Sequence, residues 1–405
     1  MAIWYNSAMK KQKPAIEEVL TRQVAEVLPT KEGLASLMQK RTIRLYLGVD
    51  PTSSHLHLGH AVLLRKLRQF QELGHEVILL FGTFTAQIGD PSGRDKTREP
   101  LSLAQIKNNM ATYVKQAALV LDERKIKIKH NGDWLSKMKF KDVLELASRM
   151  TVSRLLERDM FKERIKKQEE VWAHELLYTL MQGYDSVAMD IDLEIGGTDQ
   201  TFNMLVGRKL QEDYRHKEKF VLTVPLLLGT DGRKMSKSFG NAINILDTPN
   251  DMYGKIMALR DELIPHYFEL CADASASELQ SIKAFLAYKA NNPMELKVRL
   301  AKEIVALYHG EKKAVAAEKE FEKIFKEKQF PSDMPKAKLG SEGPFQLAEL
   351  LVMVNLASSK SEARRLTEQG GVKINGIVEK DSAKQIAASK GTIVQVGPRR
   401  FLEII

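Results

Sequence analysis

The sequence predicts an α/β protein: a doubly wound parallel sheet, then a helical stretch and a small α+β module. Three observations predict this. In residues 42–60, TIRLYLGVDPTSSHLHLGH, Ile43, Leu45, Leu47 and Val49 alternate with Arg44, Tyr46, Gly48 and Asp50, the period of a strand. An apolar-periodic helix follows (Leu58, Ala61, Val62, Leu64, Leu67, Phe70), and Val77 to Phe81 is a continuous apolar run of the fully buried kind. Finally, Pro331, Pro335, Gly340 and Gly343-Pro344 punctuate the chain before a compact tail with its own strand–turn–strand pattern.

Strand, crossover helix and strand form a parallel unit, whose ligands sit at the carboxyl ends of the strands. Tyr46, Gly48, Asp50, Thr52, His57 and His60 fall at that end. Pro51 ends the first strand because it has no N–H for the ladder, and the hydroxyls of Thr52, Ser53 and Ser54 are placed to cap the helix. His57-Leu58-Gly59-His60 sets two imidazoles around a glycine at a helix N-terminus, where free N–H groups and the dipole favour an anion. Gly59 lets a flat base or a phosphate approach the backbone. The same tetrapeptide also fits a polar loop with no task. A metal site at His55, His57 and His60 lacks a carboxylate or cysteine at ligand spacing.

The remaining segments follow in order. Residues 14–40 read as one helix, from Ile16, Val19, Leu20, Val24, Val27 and Leu28. The loop after the second strand carries Asp90, suited to an ammonium ligand, and then cations at Arg94, Lys96 and Arg98, suited to phosphates; as a Gly/Ser/Asp cluster it also fits a solvated turn. Residues 102–121 read as helix, 125–128 as a short strand, and 138–183 as helical with a charged face. His174-Glu175 is not a zincin motif, since Tyr178 stands where the second histidine belongs. Tyr178, Gln182 and Asp185 share one helix stripe among apolar Leu176, Leu177, Leu180 and Met181, so a pocket is expected to satisfy them. Leu193 to Gln200 reads as a strand ending in a Gly196-Gly197 turn that opens a helix, with Asp199 at the tip like the acid that grips a ribose. Val221–Leu228 is an apolar strand entering a glycine-bounded loop with Lys234, Ser236, Lys237 and Ser238, which could close over phosphates.

In the tail, Ser359 and Glu362 fit a capping box and Asn375-Gly376 a tight hairpin; Lys360, Arg364, Arg365 and Lys373 suggest phosphate contacts. At 405 residues the chain holds two or three domains, and 43% hydrophobic with 28% charged residues is ordinary for a globular protein. A net charge of +10 points to a polyanionic partner. The single cysteine, Cys271, excludes an internal disulfide and fits a reducing compartment. The short apolar start does not fit a signal peptide, and no run of about 18 apolar residues exists to span a membrane, so a cytoplasmic protein is expected.

Taken together, these blocks resemble one family. His57–His60 is similar to the HIGH signature and Lys234–Ser238 is the KMSKS signature of class I aminoacyl-tRNA synthetases. LYLGVDPT, the loop Ile88–Gly93, the Tyr178, Gln182, Asp185 stripe and the Gly-Gly-Thr-Asp-Gln turn resemble the bacterial tyrosyl-tRNA synthetase family, and SSKSEARRLTEQGGVKINGIVEKD its C-terminal S4 RNA-binding domain. The resemblance implies a Rossmann-like catalytic domain at 1–246 with a helical insertion near 115–170, a helical domain at 247–330, a linker at 331–344 and an S4 domain at 345–405. It also implies the residue roles. Tyr46 and Asp185 would hold a phenol, and Asp90, Tyr178 and Gln182 an ammonium group, with Gln200 completing the tyrosine site. Thr52, His57 and His60 would hold ATP phosphates, with Gly48, Asp50, Gly59, Gly197 and Asp199 around the nucleotide. Lys234 and Lys237 would stabilise departing pyrophosphate, helped by Arg94 and Arg98. The substrates implied are L-tyrosine, ATP arriving with Mg²⁺, and tRNA(Tyr), with no tightly bound cofactor and no resident metal, in a homodimer joined near 115–170. Leu47 departs from the cysteine of the best-known members, and the KMSKS loop from the KFGKT-like form of some relatives. A tryptophanyl enzyme, another HIGH-type nucleotidyltransferase and an RNA-binding protein without catalysis are the alternatives.

Overall fold

The structure, a computed structural model, describes residues 14–92, 101–236, 239–272, 274–288, 290–325, 330–331, 334–339, 343–397 and 400–405. Its central sheet comprises β1 (Glu26–Leu28), β2 (Arg44–Val49), β3 (Glu76–Phe81), β4 (Ile126–His130), β5 (Leu193–Gly197) and β6 (Phe220–Val224), in the order β1-β6-β5-β2-β3-β4. All neighbouring strands run parallel except β1, which pairs antiparallel with β6 at the edge. β2 and β5 therefore lie side by side at the centre, where strand order reverses, and their carboxyl ends open a crevice. β3 is a near-continuous apolar run because both its faces are covered, Val77 to Phe81 being at most 3% exposed, whereas the edge strand β4 carries exposed Lys127 and Lys129.

The helices of this region are α1 (Ile16–Thr21), α2 (Lys31–Lys40), α3 (Leu58–Leu73), α4 (Leu103–Ala117), α5 (Gly132–Leu135), α6 (Phe140–Ala147), α7 (Val152–Leu155), α8 (Asp159–Lys166), α9 (Ala173–Met189) and α10 (Thr201–Arg215). Two local expectations are corrected. The single helix at 14–40 is instead α1, β1 and α2. Val27 and Leu28 pair with Leu222 and Val221, because the open edge of β6 offers unpaired backbone groups, and Pro29 stops any helix there. The residue capping α3 is His57 and not one of Thr52, Ser53 or Ser54: the backbone stays extended through His57 and turns helical at Leu58.

By contacts the described residues divide into two compact units, one running to Asp247 with Ala258–Gly310, the other Thr248–Met257 with Glu311–Ile405. The helices expected as one domain at 247–330 are shared between them. In the first unit α12 (Ile264–Cys271), following α11 (Pro249–Met257) in the chain, buries Tyr267 and Phe268, and the Tyr267 hydroxyl donates to the Leu228 carbonyl at 2.6 Å. α13 (Ala276–Ala287) and α14 (Pro293–His309) complete it. In the second unit α11 meets α15 (Glu311–Phe325), with the Tyr253 and Phe321 rings 5.4 Å apart.

The tail contains β7 (Lys336–Ala337), β8 (Gly343–Gln346), α16 (Leu347–Met353), α17 (Lys360–Glu368), β9 (Val372–Ile374), β10 (Ile377–Glu379), β11 (Gln385–Ala388), β12 (Ile393–Val396) and β13 (Arg400–Ile404). The order of its larger sheet is β10-β9-β12-β13-β7, and β8 pairs with β11. β7 and β8 thus put parts of the stretch expected as a linker into sheets. Asn375 and Gly376 both have positive φ, as the tight turn between β9 and β10 requires. At α17 the cap is split: Ser359 Oγ accepts the Glu362 N–H, while the Glu362 carboxylate receives Ser358 instead.

Candidate active site

The crevice at the carboxyl ends of β2 and β5 is a cleft of about 280 Å³. Tyr46, Gly48, Asp50, Thr52, His57, Gly59, His60, Asp90, Tyr178, Gln182, Asp185, Gly197, Asp199, Gln200 and Lys234 all line it. Those residues, spread over the chain, are thus brought to one place. Arg94, Arg98 and Lys237 lie outside the described residues.

At one end α3 begins. The Leu58 N–H donates to Ile243 O and the Ile245 N–H to Leu56 O, both at 2.9 Å, so the chain leaving the lysine loop is stitched to the start of the histidine motif. His60 Nδ1 accepts the His57 backbone N–H at 3.2 Å, which leaves its proton on Nε2. The two rings stand 3.8 Å apart, and a Cβ on Gly59 would press His57 Nδ1 at 3.0 Å. Burial, then neighbouring His60 and Lys234, pushes His57 down to about 2; burial and Lys234 push His60 down to about 4. Near neutral pH both are therefore uncharged hydrogen-bonding groups, and positive charge comes from lysine and the helix dipole.

Lys234 Nζ donates to Asp199 Oδ2 at 2.6 Å. The loop behind it turns at Gly232 (φ +83°) and is stapled by Asn241, which donates to Asp231 Oδ1 and the Lys234 carbonyl and accepts the Ser236 N–H. Gly229 leaves room for this staple, since a Cβ there would lie 2.3 Å from the Asn241 amide.

Deeper in, carboxylates and their partners form a linked floor. Tyr178 Oη donates to Asp50 Oδ2 (3.0 Å) and Thr85 Oγ1 to Asp50 Oδ1 (2.8 Å). Asp90 Oδ2 accepts Gln200 Nε2 (2.9 Å), and its Oδ1 accepts both the N–H and hydroxyl of Ser92. Arg158, buried, donates to Ser92 Oγ and Thr179 Oγ1. Gln182 Oε1, which lines the same cleft, is buried without a hydrogen-bond partner, an acceptor held ready for a ligand.

Asp185, 2% exposed, accepts Trp134 Nε1 (2.8 Å) and Asn131 Nδ2 (3.2 Å). Burial raises its carboxyl well above the usual range, against the pull of those two bonds. Tyr46 is fully buried, its hydroxyl 3.0 Å from Ser186 Oγ, and burial beside Glu194 and Asp185 keeps it protonated. Sequence reasoning missed Asn131, Trp134, Ser186 and Asn241. The first two were findable: Asn131–Trp134 directly follows β4, at the carboxyl end of a parallel strand. Among the described residues no group of three or more His, Cys, Asp or Glu could hold a metal ion, and His55 Nδ1 bonds Ser54 Oγ instead. Glu175, set aside as a zinc-type base, pairs with buried Arg164 at 2.7 Å.

The fold and this site define a class, that of tRNA synthetases class I (W and Y), whose family model matches residues 38–326; the model of the Tyrosine--tRNA ligase SYY-like C-terminal domain matches residues 326–396. A Tyrosine--tRNA ligase of Thermotoga maritima is 45% identical over 388 residues, 96% of each chain, and one of Haemophilus influenzae is 45% identical over 387 residues, 95% of each. A solved tyrosyl-tRNA synthetase from Archaeoglobus fulgidus, complexed with L-tyrosine, shares the fold with a TM-score of 0.60 at 23% identity, over 75% of this chain and 98% of that one. The chain belongs to the class I tRNA synthetases and, within them, to the tyrosine–tRNA ligase family.

Proposed function

We propose that the protein activates L-tyrosine with ATP to tyrosyl-adenylate and pyrophosphate, then transfers the tyrosine to the 3′ end of tRNA(Tyr). One observation carries the choice of amino acid. A buried carboxylate, Asp185, and a buried hydroxyl, Tyr46, neighbour one another in the cleft, which Gln182, with an unpartnered acceptor, lines together with Asp50 and Asp90. A ligand with a phenol at one end and an ammonium at the other satisfies both groups. An indole brings a single donor and no oxygen.

The residue roles follow from that pose. Asp90, Tyr178 and Gln182, with Gln200 on Asp90, hold the ammonium; Asp50 acts through Tyr178. The tyrosine carboxylate attacks the α-phosphorus in line, and negative charge grows on the β- and γ-phosphates as pyrophosphate leaves. His57 and His60 donate to those phosphates as neutral imidazoles at the N-terminus of α3, with Thr52 beside them. Gly48, Gly59 and Gly197 leave the nucleotide close to the backbone. Lys234, paired with Asp199 in the free protein, turns to the phosphates as Asp199 takes the ribose. Lys237, Arg94 and Arg98 add cations, by resemblance to the family. Mg²⁺ arrives with ATP and is written as part of that substrate. The catalysis is positioning and electrostatics, without a covalent enzyme intermediate.

Residues 345–405 serve as the RNA-binding module, through exposed Arg364 and Arg365, with Lys360 and Lys373. Exposed Phe140, Leu144, Val152 and Ile165 support a homodimer joined through the segment near 115–170. Among the described residues no helix is long and apolar enough to cross a membrane, in keeping with a cytoplasmic enzyme. The deciding experiment is ATP–pyrophosphate exchange with tyrosine, tryptophan and phenylalanine in turn. Exchange with tyrosine alone is expected; exchange driven by tryptophan, or none with any amino acid, overturns the reading.

A further inference from the structure

In the wall of the cleft, which Glu194 lines and Lys219 backs, is an ion pair with no task in that mechanism. Lys219 directly precedes β6, and Glu194 is the second residue of β5. Lys219 is 0% exposed, Glu194 2%, Ser186 and Tyr46 0%. The ammonium has three protons and three acceptors: the Glu194 carboxylate, Ser186 Oγ at 2.8 Å and the Met204 carbonyl at 3.2 Å. α10 makes room for it with a glycine, since a Cβ on Gly207 would lie 2.5 Å from Lys219 Nζ. Burial pushes the ammonium down and Glu194 pulls it back up. A buried pair of this kind stabilises a fold little more than apolar residues of the same volume, so its effect is to be sought in what it orients.

An ammonium only donates, so Ser186 Oγ accepts from Lys219. That leaves the Ser186 proton free for the Tyr46 hydroxyl oxygen, 3.0 Å away, and in that arrangement the Tyr46 proton points elsewhere. Two acceptors compete for it: the Glu194 carboxylate, which faces the same hydroxyl, and whatever enters the cleft. Lys219 settles that competition by holding Glu194. We propose that Lys219 is a positioning residue for amino-acid selection: by pairing Glu194 and donating to Ser186 it turns the Tyr46 hydroxyl proton toward the cleft, where a ligand phenol oxygen accepts it. This rests on the tyrosine reading above. Asp185, on the other side, accepts the ligand's own phenol proton.

The test is the ratio of kcat/KM for tyrosine to that for phenylalanine in pyrophosphate exchange, measured on the full chain. In Lys219→Met the unpaired Glu194 draws the Tyr46 proton away, and the ratio falls by about 2- to 10-fold, the size of one hydrogen bond between neutral groups. Lys219→Gln keeps amide protons for Glu194 and Ser186 and holds the ratio near that of the parent. Should Lys219→Met fail to fold, the neutral pair Lys219→Met/Glu194→Leu carries the test with a smaller fall. In a Tyr46→Phe background, Lys219→Met changes the ratio no further. Equal losses for both amino acids, an unchanged ratio in every Lys219 variant, or the same fall without the Tyr46 hydroxyl each overturn the proposal. The parent separates the two levels: without tyrosine-dependent exchange in the parent the tyrosine reading itself fails, whereas with it an unmoved ratio removes only Lys219.

Discussion

Gly82 sits at the end of β3, and nothing in its backbone requires glycine; what requires it is Asp50. A Cβ at residue 82 would stand 1.8 Å from Asp50 Oδ1 and 2.3 Å from Thr85 Oγ1, both far inside contact distance. In Gly82→Ala the carboxylate must rotate away, breaking its 2.8 Å bond from Thr85 and displacing its 3.0 Å bond from Tyr178. A hydrogen bond to a charged group contributes about 1.5–3 kcal/mol, so losing one and weakening the other puts the change at about 2–4 kcal/mol. At about 1.4 kcal/mol per factor of ten, kcat/KM for tyrosine falls by about 30- to 1,000-fold, mostly through KM, because the ammonium site binds the substrate before reaction and during it. Tyr178→Phe removes one of those bonds and should cost about 10- to 100-fold. Because Asp50 acts on the ammonium through the Tyr178 hydroxyl, both changes act on the same group, and the double variant should lose little more than the more damaged of the two single variants. The assay is pyrophosphate exchange at varied tyrosine, with circular dichroism melts to establish that each variant is folded. A folded Gly82→Ala protein with the parent's kcat/KM, or losses that simply multiply in the double variant, would refute the coupling.

Four further outcomes are expected. Asp185→Ala should abolish most tyrosine use, leaving the Trp134 and Asn131 donors unpaired, and Tyr46→Phe should narrow the tyrosine/phenylalanine gap in exchange, an effect of which tyrosyl-tRNA synthetases are themselves the standing example. Lys234→Ala should slow adenylate formation in rapid-quench kinetics by about 100-fold or more with tyrosine affinity little changed, because the charge it meets develops in the transition state. Stability should fall on acidification through the histidines. With His60 held down to about 4, the unfolded chain takes up a proton first, so the contribution is complete above about pH 6.5 and is lost as the pH falls from there toward 4. That amounts to about 2 kcal/mol at pH 5 for His60 alone; urea titrations at pH 7 and pH 5 measure it, and His60→Asn should shrink the difference. Arg364→Ala/Arg365→Ala should weaken tRNA binding and flatten its salt dependence while exchange continues unchanged, as measured by filter binding across a salt series.

Much of the molecule is local, and local patterns were readable. The strand–helix–strand unit at 43–81, the Asn375-Gly376 hairpin and the placing of His57 and His60 at the start of a helix all follow from spacing within single elements. So does the shared stripe of Tyr178, Gln182 and Asp185, since a helix fixes which residues face together. Gly196 and Gly197, expected as a turn, are instead the last two paired residues of β5. What the sequence could not supply was who partners whom across the sheet. Asp50 meets Tyr178 from 128 residues away, and Asp185 meets Trp134 from 51. Those meetings depend on the order β6-β5-β2-β3-β4, which no single strand encodes, because a strand's own residues do not specify which strands flank it. The same blindness turned β1 into part of a helix: its strand form exists only because β6 leaves an edge to pair with. Lys219 is the extreme case. In sequence it is one lysine in a basic chain, and only the tertiary structure makes it a buried charge, because burial is a property of what packs around a residue and not of the residue itself.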